Sequence, residues 1–410
     1  MCPIAGKKHN IIQTRDGYYQ DYVFTDKLPV SASSQRKIAQ LPDGTLVTAF
    51  YTGTAELSIA LSTDTGGHWK LASDILSRFS IPGIKNAFNP ALAVDKYGML
   101  HLAFRAFGAD TAPYTLIWYT QSKDGVKWSK PVLIPPVNGQ VYYHGYPVIG
   151  AGSQDEVYIA FDFADSLYVA RSTDNGKNWT SPEQIAQSSG EDTRPSMAIA
   201  SDGTIYIAYS EYLNLFCCRS QDQGASWTKK KVFGSTRARG HYPSIAVDGQ
   251  DRPVIAYLAE GGSLGPEVYR AIHIQWQENN WSDTWQYIVV DSVYDAKMFM
   301  HMPSLTINKN DVLYVAYVVS YDEPNIFWPQ WPKDIVYTTS SNWTDWSSPL
   351  RITECHNGQL SPQGWPNLYW QQNRPAQKGF LVLWDGKEED VQLPSQAWFA
   401  RCFRSQDFIL

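Results

Sequence analysis

One turn recurs along the chain and limits what it can fold into. Ser62-Thr63-Asp64-Thr65-Gly66-Gly67-His68-Trp69 returns as Ser172-Thr173-Asp174-Asn175-Gly176-Lys177-Asn178-Trp179 and as Ser220-Gln221-Asp222-Gln223-Gly224-Ala225-Ser226-Trp227. A copy one residue shorter runs from Ser122 through Asp124 and Gly125 to Trp128. Repeats of this kind grow by adding units around a common core. In each copy the Gly permits a left-handed turn, and the Asp can accept backbone N–H bonds across it. The Trp can bury its ring beneath the turn and donate its indole N–H to a nearby carbonyl.

A second signature fixes the length of the unit. Pro90 is followed 14 residues later by Phe104, and the same spacing links Pro147 to Phe161, Pro195 to Tyr209, Pro243 to Tyr257 and Pro303 to Tyr317. Arg36 to Phe50 obeys it with Arg in the lead position, and Pro366 to Phe380 gives a seventh copy whose second strand runs on to Trp384. Each unit reads as an apolar strand, a polar turn, a second apolar strand, a third strand leading into the Asp turn, and a fourth, more polar strand. Seven units of four short antiparallel strands predict an all-β, seven-bladed β-propeller. A length of 410 residues alone would suggest two or three domains. The repeats instead predict one domain over 1–410, with repeats starting near 36, 90, 147, 195, 243, 303 and 366. The C-terminal Arg404-Ser405-Gln406-Asp407 restarts a third strand and then stops. The segment 1–30 is therefore expected to close the ring, with Tyr19–Phe24 as the outer strand of the last blade, leaving no open sheet edge.

Composition agrees. The chain has 16 Trp and 25 Tyr, and only 18% of its residues are charged, which suits short strands with buried aromatics. A net charge of −6 gives no electrostatic reason to expect nucleic acid as a partner. No segment is apolar for long enough to span a membrane, so no membrane partner is expected. The N-terminus lacks the apolar stretch of a secretory signal. Five Cys, with Cys217 and Cys218 adjacent, make no disulfide framework, so a reducing compartment is the simpler expectation. A leader removed upstream of this numbering stays open. Three sequons, at Asn178, Asn280 and Asn342, fall in the Asp turns or degenerate copies of them and read as turn chemistry.

The turns resemble the Asp-box, or bacterial neuraminidase repeat, of the sialidase-like propeller superfamily. That resemblance covers most of the chain and implies the propeller fold. It implies no single activity, because related propellers include sialidases, other glycosidases, polysaccharide lyases, lectins and proteins that do not act on glycans. Sialidases share a Phe/Tyr-Arg-Ile-Pro lead into the first strand. The matching stretch here, Gln35-Arg36-Lys37-Ile38-Ala39, keeps an Arg and an Ile but neither the aromatic nor the Pro.

Strand direction sorts the loops onto two faces. Asp turns share one face with the turns between strands one and two. The blade-to-blade connections and the loops after strand two share the other, around the mouth of the central channel. That second face is predicted to gather Arg36, Arg105, Arg194, Arg239, His144, Tyr146, His241, Tyr242, His301, Asp162, Glu211 and Trp365. It also receives the 320–333 loop with Trp328 and Trp331. Arg offers a planar fork for a carboxylate, His exchanges a proton near neutral pH, and exposed Trp can face a sugar ring. His144, His241, Tyr146, Tyr242, Glu211 and Asp162 are the candidate acid–base groups. Arg36, Arg105, Arg194, Arg239, His301, Trp328, Trp331 and Trp365 are the candidate substrate contacts. Each has a plainer reading. The Arg can pair with Asp or Glu, the His can cap strand ends, and Trp328 and Trp331 can pack as a lid. His68, His101 and His273 fall in a turn or in strands and read as structural.

The function expected from this inventory is a carbohydrate-active enzyme, acting as a monomer on an oligo- or polysaccharide with an acidic sugar. A lyase, in which Arg neutralises a uronate and His or Tyr moves the proton, is placed ahead of a sialidase-like hydrolase. The alternatives are a glycan-binding lectin and a protein-interaction propeller. No cofactor is expected. A zinc site from His144, His241 and His301 is the weaker alternative, because no close-spaced ligand pair anchors it.

Overall fold

The computed structural model describes residues 12–14, 18–24, 36–51, 57–66, 68–79, 84–107, 114–140, 144–187, 193–212, 214–235, 238–261, 269–278, 281–293, 298–321, 333–352, 364–370, 380–386 and 396–402. Six antiparallel sheets of four strands follow one another over 38–74, 85–133, 144–187, 196–233, 238–293 and 298–351. Within each, spatial order follows chain order, so every blade is a simple meander. The fold is an all-β propeller of four-stranded antiparallel blades.

The last repeat corrects the expectation of seven four-stranded blades. Among the described residues the four-stranded blades number six, and the remaining sheet has five strands, ordered Ile12–Thr14, Tyr18–Phe24, Gln396–Cys402, Phe380–Gly386 and Gly364–Trp370. The N-terminal segment supplies a hairpin where one strand was expected. Its second strand pairs with the C-terminal one, from Tyr19 opposite Arg401 to Phe24 opposite Gln396. Its first strand then covers the outer edge, where unpaired N–H and C=O groups would otherwise invite another chain. Gly364–Trp370 packs against Met298–Ile307 on one side and Ile38–Gln40 on the other.

Register also corrects the seventh copy of the spacing. In the second blade Phe88 faces Arg105, directly after Phe104. In the last sheet Gly364 faces Asp385. The counterpart of Phe104 there is thus Trp384, four residues beyond Phe380. The connection from Trp370 to Phe380 is longer than that from Ile307 to Leu313 by the same amount.

The other six aromatics at this position, Phe50, Phe104, Phe161, Tyr209, Tyr257 and Tyr317, are fully buried between blades. Burying each such ring is worth roughly 1.5–3 kcal/mol, which explains why the spacing is so regular. Two sets of polar bonds fix one blade to the next. Just after the lead position, Ser196 Oγ accepts from Ile245 N–H at 3.2 Å and Ser244 Oγ accepts from Leu305 N–H at 3.0 Å. Lys37 does the same task by donating from Nζ to Pro90 O at 2.8 Å. On the opposite face, Asp251 accepts from Ser201 N–H and Asp311 from Gly249 N–H, both at 2.7 Å.

The Asp turns are built as their sequence implies. Asp174 Oδ1 accepts from Asn178 N–H at 2.8 Å, and Asp222 Oδ1 from Ser226 N–H at 2.9 Å. Ser172 and Ser220 each accept from the turn Gly, and Trp128 and Trp179 donate to Gly125 O and Gly176 O. Asn178 and Asn342 are both engaged inside their turns, through Asp174 and Asp345. The bonds to Asn178 hold the Asp174 carboxyl down at about 2, and those to Ser226 do the same for Asp222. An unfolded Asp titrates near 3.9. The staples therefore contribute above that pH and are lost as pH falls through about 2. The expected outcome is a steeper acid-side fall of the melting temperature in the wild type than in Asp174→Asn/Asp222→Asn, measured between pH 5 and pH 2.

Candidate functional site

A backbone irregularity marks one face of the ring. The residue before the lead Pro has a left-handed φ in five successive blades: Asn89 at 49°, Tyr146 at 37°, Arg194 at 43°, Tyr242 at 52° and Met302 at 58°. Such angles are uncommon for residues with side chains, and a following Pro restricts its predecessor further. In four of these blades the strand pairing slips at this point, between Phe88 and Ala91, Gly145 and Val148, His241 and Ser244, and His301 and Ser304. The last sheet slips between Gly364 and Asn367. These are β-bulges, which bend a strand and re-aim a side chain, and they concentrate beside binding sites.

The bulges assemble a ladder of alternating rings and cations across four blades. Arg105 lies over the Phe88 ring at 4.9 Å and over the Tyr146 ring at 5.1 Å. Arg194 lies over the other neighbours in the row, Tyr146 at 5.3 Å and Tyr242 at 4.7 Å. The His241 ring follows Tyr242 at 6.1 Å. Five of the predicted residues thus come together, contributed by blades two to five. A guanidinium held between ring faces keeps its planar N–H edge directed along the plane of the stack, the geometry that suits a carboxylate.

The ladder ends in a charged cluster. Glu260 accepts from Arg270 Nε at 2.9 Å through one carboxylate oxygen, and its other oxygen lies 3.8 Å from His241 Nε2. Arg239 is directly opposite Glu260 in the strand pairing and is exposed.

The remaining predicted residues go elsewhere. Arg36 reaches across the ring from the first blade and donates to Ile245 O of the fifth at 3.2 Å. There it lines a channel cavity of about 390 Å³ with Leu92, Ile149, Met197 and Ala246. His301 is buried and bonded to Ser320 Oγ at 2.9 Å. Asp162 is buried at the end of its strand, opposite Gly145. Glu211 turns to the outer strand, where it pairs with Lys229 and accepts from Tyr209 OH at 3.0 Å. Trp328 and Trp331 lie outside the described residues, as do the side chains of His144 and Trp365. Among the described residues no three His, Cys, Asp or Glu side chains gather to hold a metal.

The three His read as structural are held within the fold. His68 pairs with Asp64 inside its turn, and His101 sits between Tyr119 OH at 2.7 Å and Asp95. Burial pushes His273 down to about 4. Sequence reading missed Phe88, Lys37 and Glu260. Phe88 stands two residues before Pro90, at the repeat position that holds His241 and His301 in later blades. That alignment was the signal available.

Residues 20–207 match the profile of the BNR repeat-like domain. The match covers a little under half of the chain. Among solved structures, an ulvan lyase of a new polysaccharide lyase family aligns at 13% identity over 92% of this chain and 95% of its own, with a TM-score of 0.59. The α-L-arabinanase of Penicillium chrysogenum aligns at 12% identity over 95% of this chain and 100% of its own, with a TM-score of 0.51. A Dyadobacter fermentans protein of unknown function aligns at 17% identity over 77% of this chain and 95% of its own, also at 0.51. At these identities the likeness is one of fold. No curated protein sequence matches the chain. Within the matched segment the repeated residues are the Asp turns and interblade rings. Phe88, Gly145 and Thr193 differ at one equivalent rim position, so the blades share a frame and not a pocket.

Proposed function

We propose that the protein is a carbohydrate-active enzyme acting on a glycan that carries an acidic sugar, bound on the face where the bulges lie. The observation that carries this reading is the ladder, in which Arg105 and Arg194 are interleaved with Phe88, Tyr146 and Tyr242. A protein surface needs two things for such a sugar: a fork for the carboxylate and flat apolar area for the ring. The ladder offers both, in a row long enough for more than one sugar unit. Its asymmetry around the ring favours one site over several equivalent ones, which supports an enzyme over a lectin.

A β-eliminating lyase is the specific activity we favour. Arg194 would neutralise the uronate carboxylate and so acidify the adjacent C–H. Tyr146, Tyr242 and His241 are the nearest groups able to take that proton and to protonate the departing glycosidic oxygen. The base takes the proton, the C–H electron pair forms the new C=C bond, and the glycosidic C–O bond breaks with its pair going to the oxygen, which the acid protonates. One solved ulvan lyase of similar fold holds a glucuronate–rhamnose sulfate polymer, which makes ulvan the first substrate to test. Incubation with ulvan and other uronate polymers is expected to raise ultraviolet absorbance as the conjugated double bond forms. Release of reducing ends without that absorbance would mean a hydrolase. Binding without either would leave a lectin.

A further inference from the structure

The cluster beyond the end of the ladder contains a residue that neither repeat pattern singles out. In the fifth blade Arg239, Glu260 and Arg270 stand in one row across three adjacent strands, each directly opposite the next. Side chains in such a row share one face of the sheet and lie within reach of each other. Glu260 divides its carboxylate between two partners. One oxygen takes the Arg270 Nε–H bond at 2.9 Å, and the other faces His241 Nε2 at 3.8 Å. The side chains of His241, Glu260 and Arg270 are 17%, 29% and 13% exposed, so the charges interact with little solvent between them and yet border the open face.

We infer that Glu260 is a positioning residue for His241: its carboxylate, fixed by Arg270, orients the imidazole at the end of the ladder and stabilises its protonated form. The assignment rests on the proposed site only in giving His241 a catalytic task. The contact itself is independent of any substrate. Arg270 matters because a carboxylate tied by one oxygen loses the freedom to turn away, so the second oxygen stays aimed at the ring. Among the described residues, the other charged side chains and imidazoles on the strand of His241 and on the strands packed against it are Arg239, Arg219, His301 of the next blade, and Glu211, which Lys229 already engages; Arg194 stands across the Tyr242 ring. Among the described residues, Glu260 is an anion placed beside the imidazole to favour its protonated form. An imidazolium held in place is suited to giving a proton to a leaving oxygen, and Tyr146 or Tyr242 would then act as the base.

The test is an NMR titration of the protein carrying labelled His, with the His241 signal assigned through His241→Gln. In Glu260→Gln the His241 midpoint is expected to fall by about half to one pH unit, as the loss of a nearby opposite charge requires. Arg270→Lys is expected to broaden or move the same signal by less, and Glu260→Asp to restore part of the wild-type midpoint. The signals of the buried His101 and His273 should not move. An unchanged His241 midpoint in a folded Glu260→Gln protein would overturn the assignment. So would a rise. Should Glu260→Gln not fold, Glu260→Asp alone decides, since shortening the side chain must also lower the midpoint. The readout needs no turnover, so failure of every polysaccharide assay would count against the proposed activity and leave this result standing. If turnover is found, Glu260→Gln should lower kcat with KM little changed.

Discussion

Arg194→Ala is expected to lower kcat/KM on a uronate polymer by roughly 10²–10³-fold, the usual cost of removing one preorganised group that stabilises developing charge. Arg194 is the cation at the centre of the ladder, with Tyr146 on one side and Tyr242 on the other. Both rings lose their shared partner in the variant, so a modest fall in stability of about 1–2 kcal/mol should accompany the loss of activity. Arg194→Lys separates the two effects. It keeps the charge but not the planar fork, so it should recover stability better than activity. The assay is absorbance of the unsaturated product alongside thermal unfolding. Activity retained in Arg194→Ala would remove the ladder from the chemistry and move attention to the channel around Arg36.

The second large effect concerns a buried residue at the entry to the first strand of the first blade. Lys37 is fully buried, and burial pushes its ammonium down to about 7, while its Nζ donates to Pro90 O. An unfolded Lys keeps its proton to about 10.4. Between these values the unfolded chain binds more protons than the folded one, so stability rises with pH across that window. Below about pH 7 both states hold the proton and the cost of a buried charge is felt in full. The slope approaches 1.4 kcal/mol per pH unit at most, which makes a change on the order of a few kcal/mol between pH 7 and pH 10. Cys217 and Cys218, whose thiols burial pushes up, work in the opposite sense above about pH 8.5. The quantity to measure is therefore the difference between wild type and Lys37→Met in denaturant unfolding at several pH values. Lys37→Met leaves Pro90 O without this donor, a cost of about 1 kcal/mol that does not vary with pH. Its own profile should be flatter by the Lys37 contribution. Parallel profiles would show that Lys37 keeps its proton in the folded state.

The frame of this protein was legible because burial repeats. Each Asp turn, each lead Pro and each aromatic after strand two solves the same local problem, so the same residue types return at the same spacing. The last repeat was misread by four residues because its first turn is longer, and Phe380 happens to fall where Trp384 should be matched. The face itself was legible from strand direction, and Arg105, Tyr146, Arg194, Tyr242 and His241 do meet there. The details were set by features with no repeated signature. Glu211 is two residues past a buried Tyr, like a rim residue, but its side chain folds back to Lys229. Glu260 lies one residue further from its own Tyr, in a strand that runs longer, and so reaches His241. The left-handed residues before Pro could not have been read from propensity, since Tyr and Arg are poor candidates for that conformation.

The five-stranded sheet has a consequence for how the protein comes into being. Its paired strands Tyr18–Phe24 and Gln396–Cys402 lie far apart in the sequence, so the first is made long before the second. A nascent chain growing at about 5–20 residues per second must hold its first hairpin strand unpaired on one side until the last one emerges. Until then the edge of Tyr18–Phe24 that pairs with Gln396–Cys402 has no partner strand from this sheet. The molecule is therefore most exposed to mispairing with another copy of itself before Gln396–Cys402 is made, when the matching strand of a second chain could take the vacant place and exchange strands between two rings.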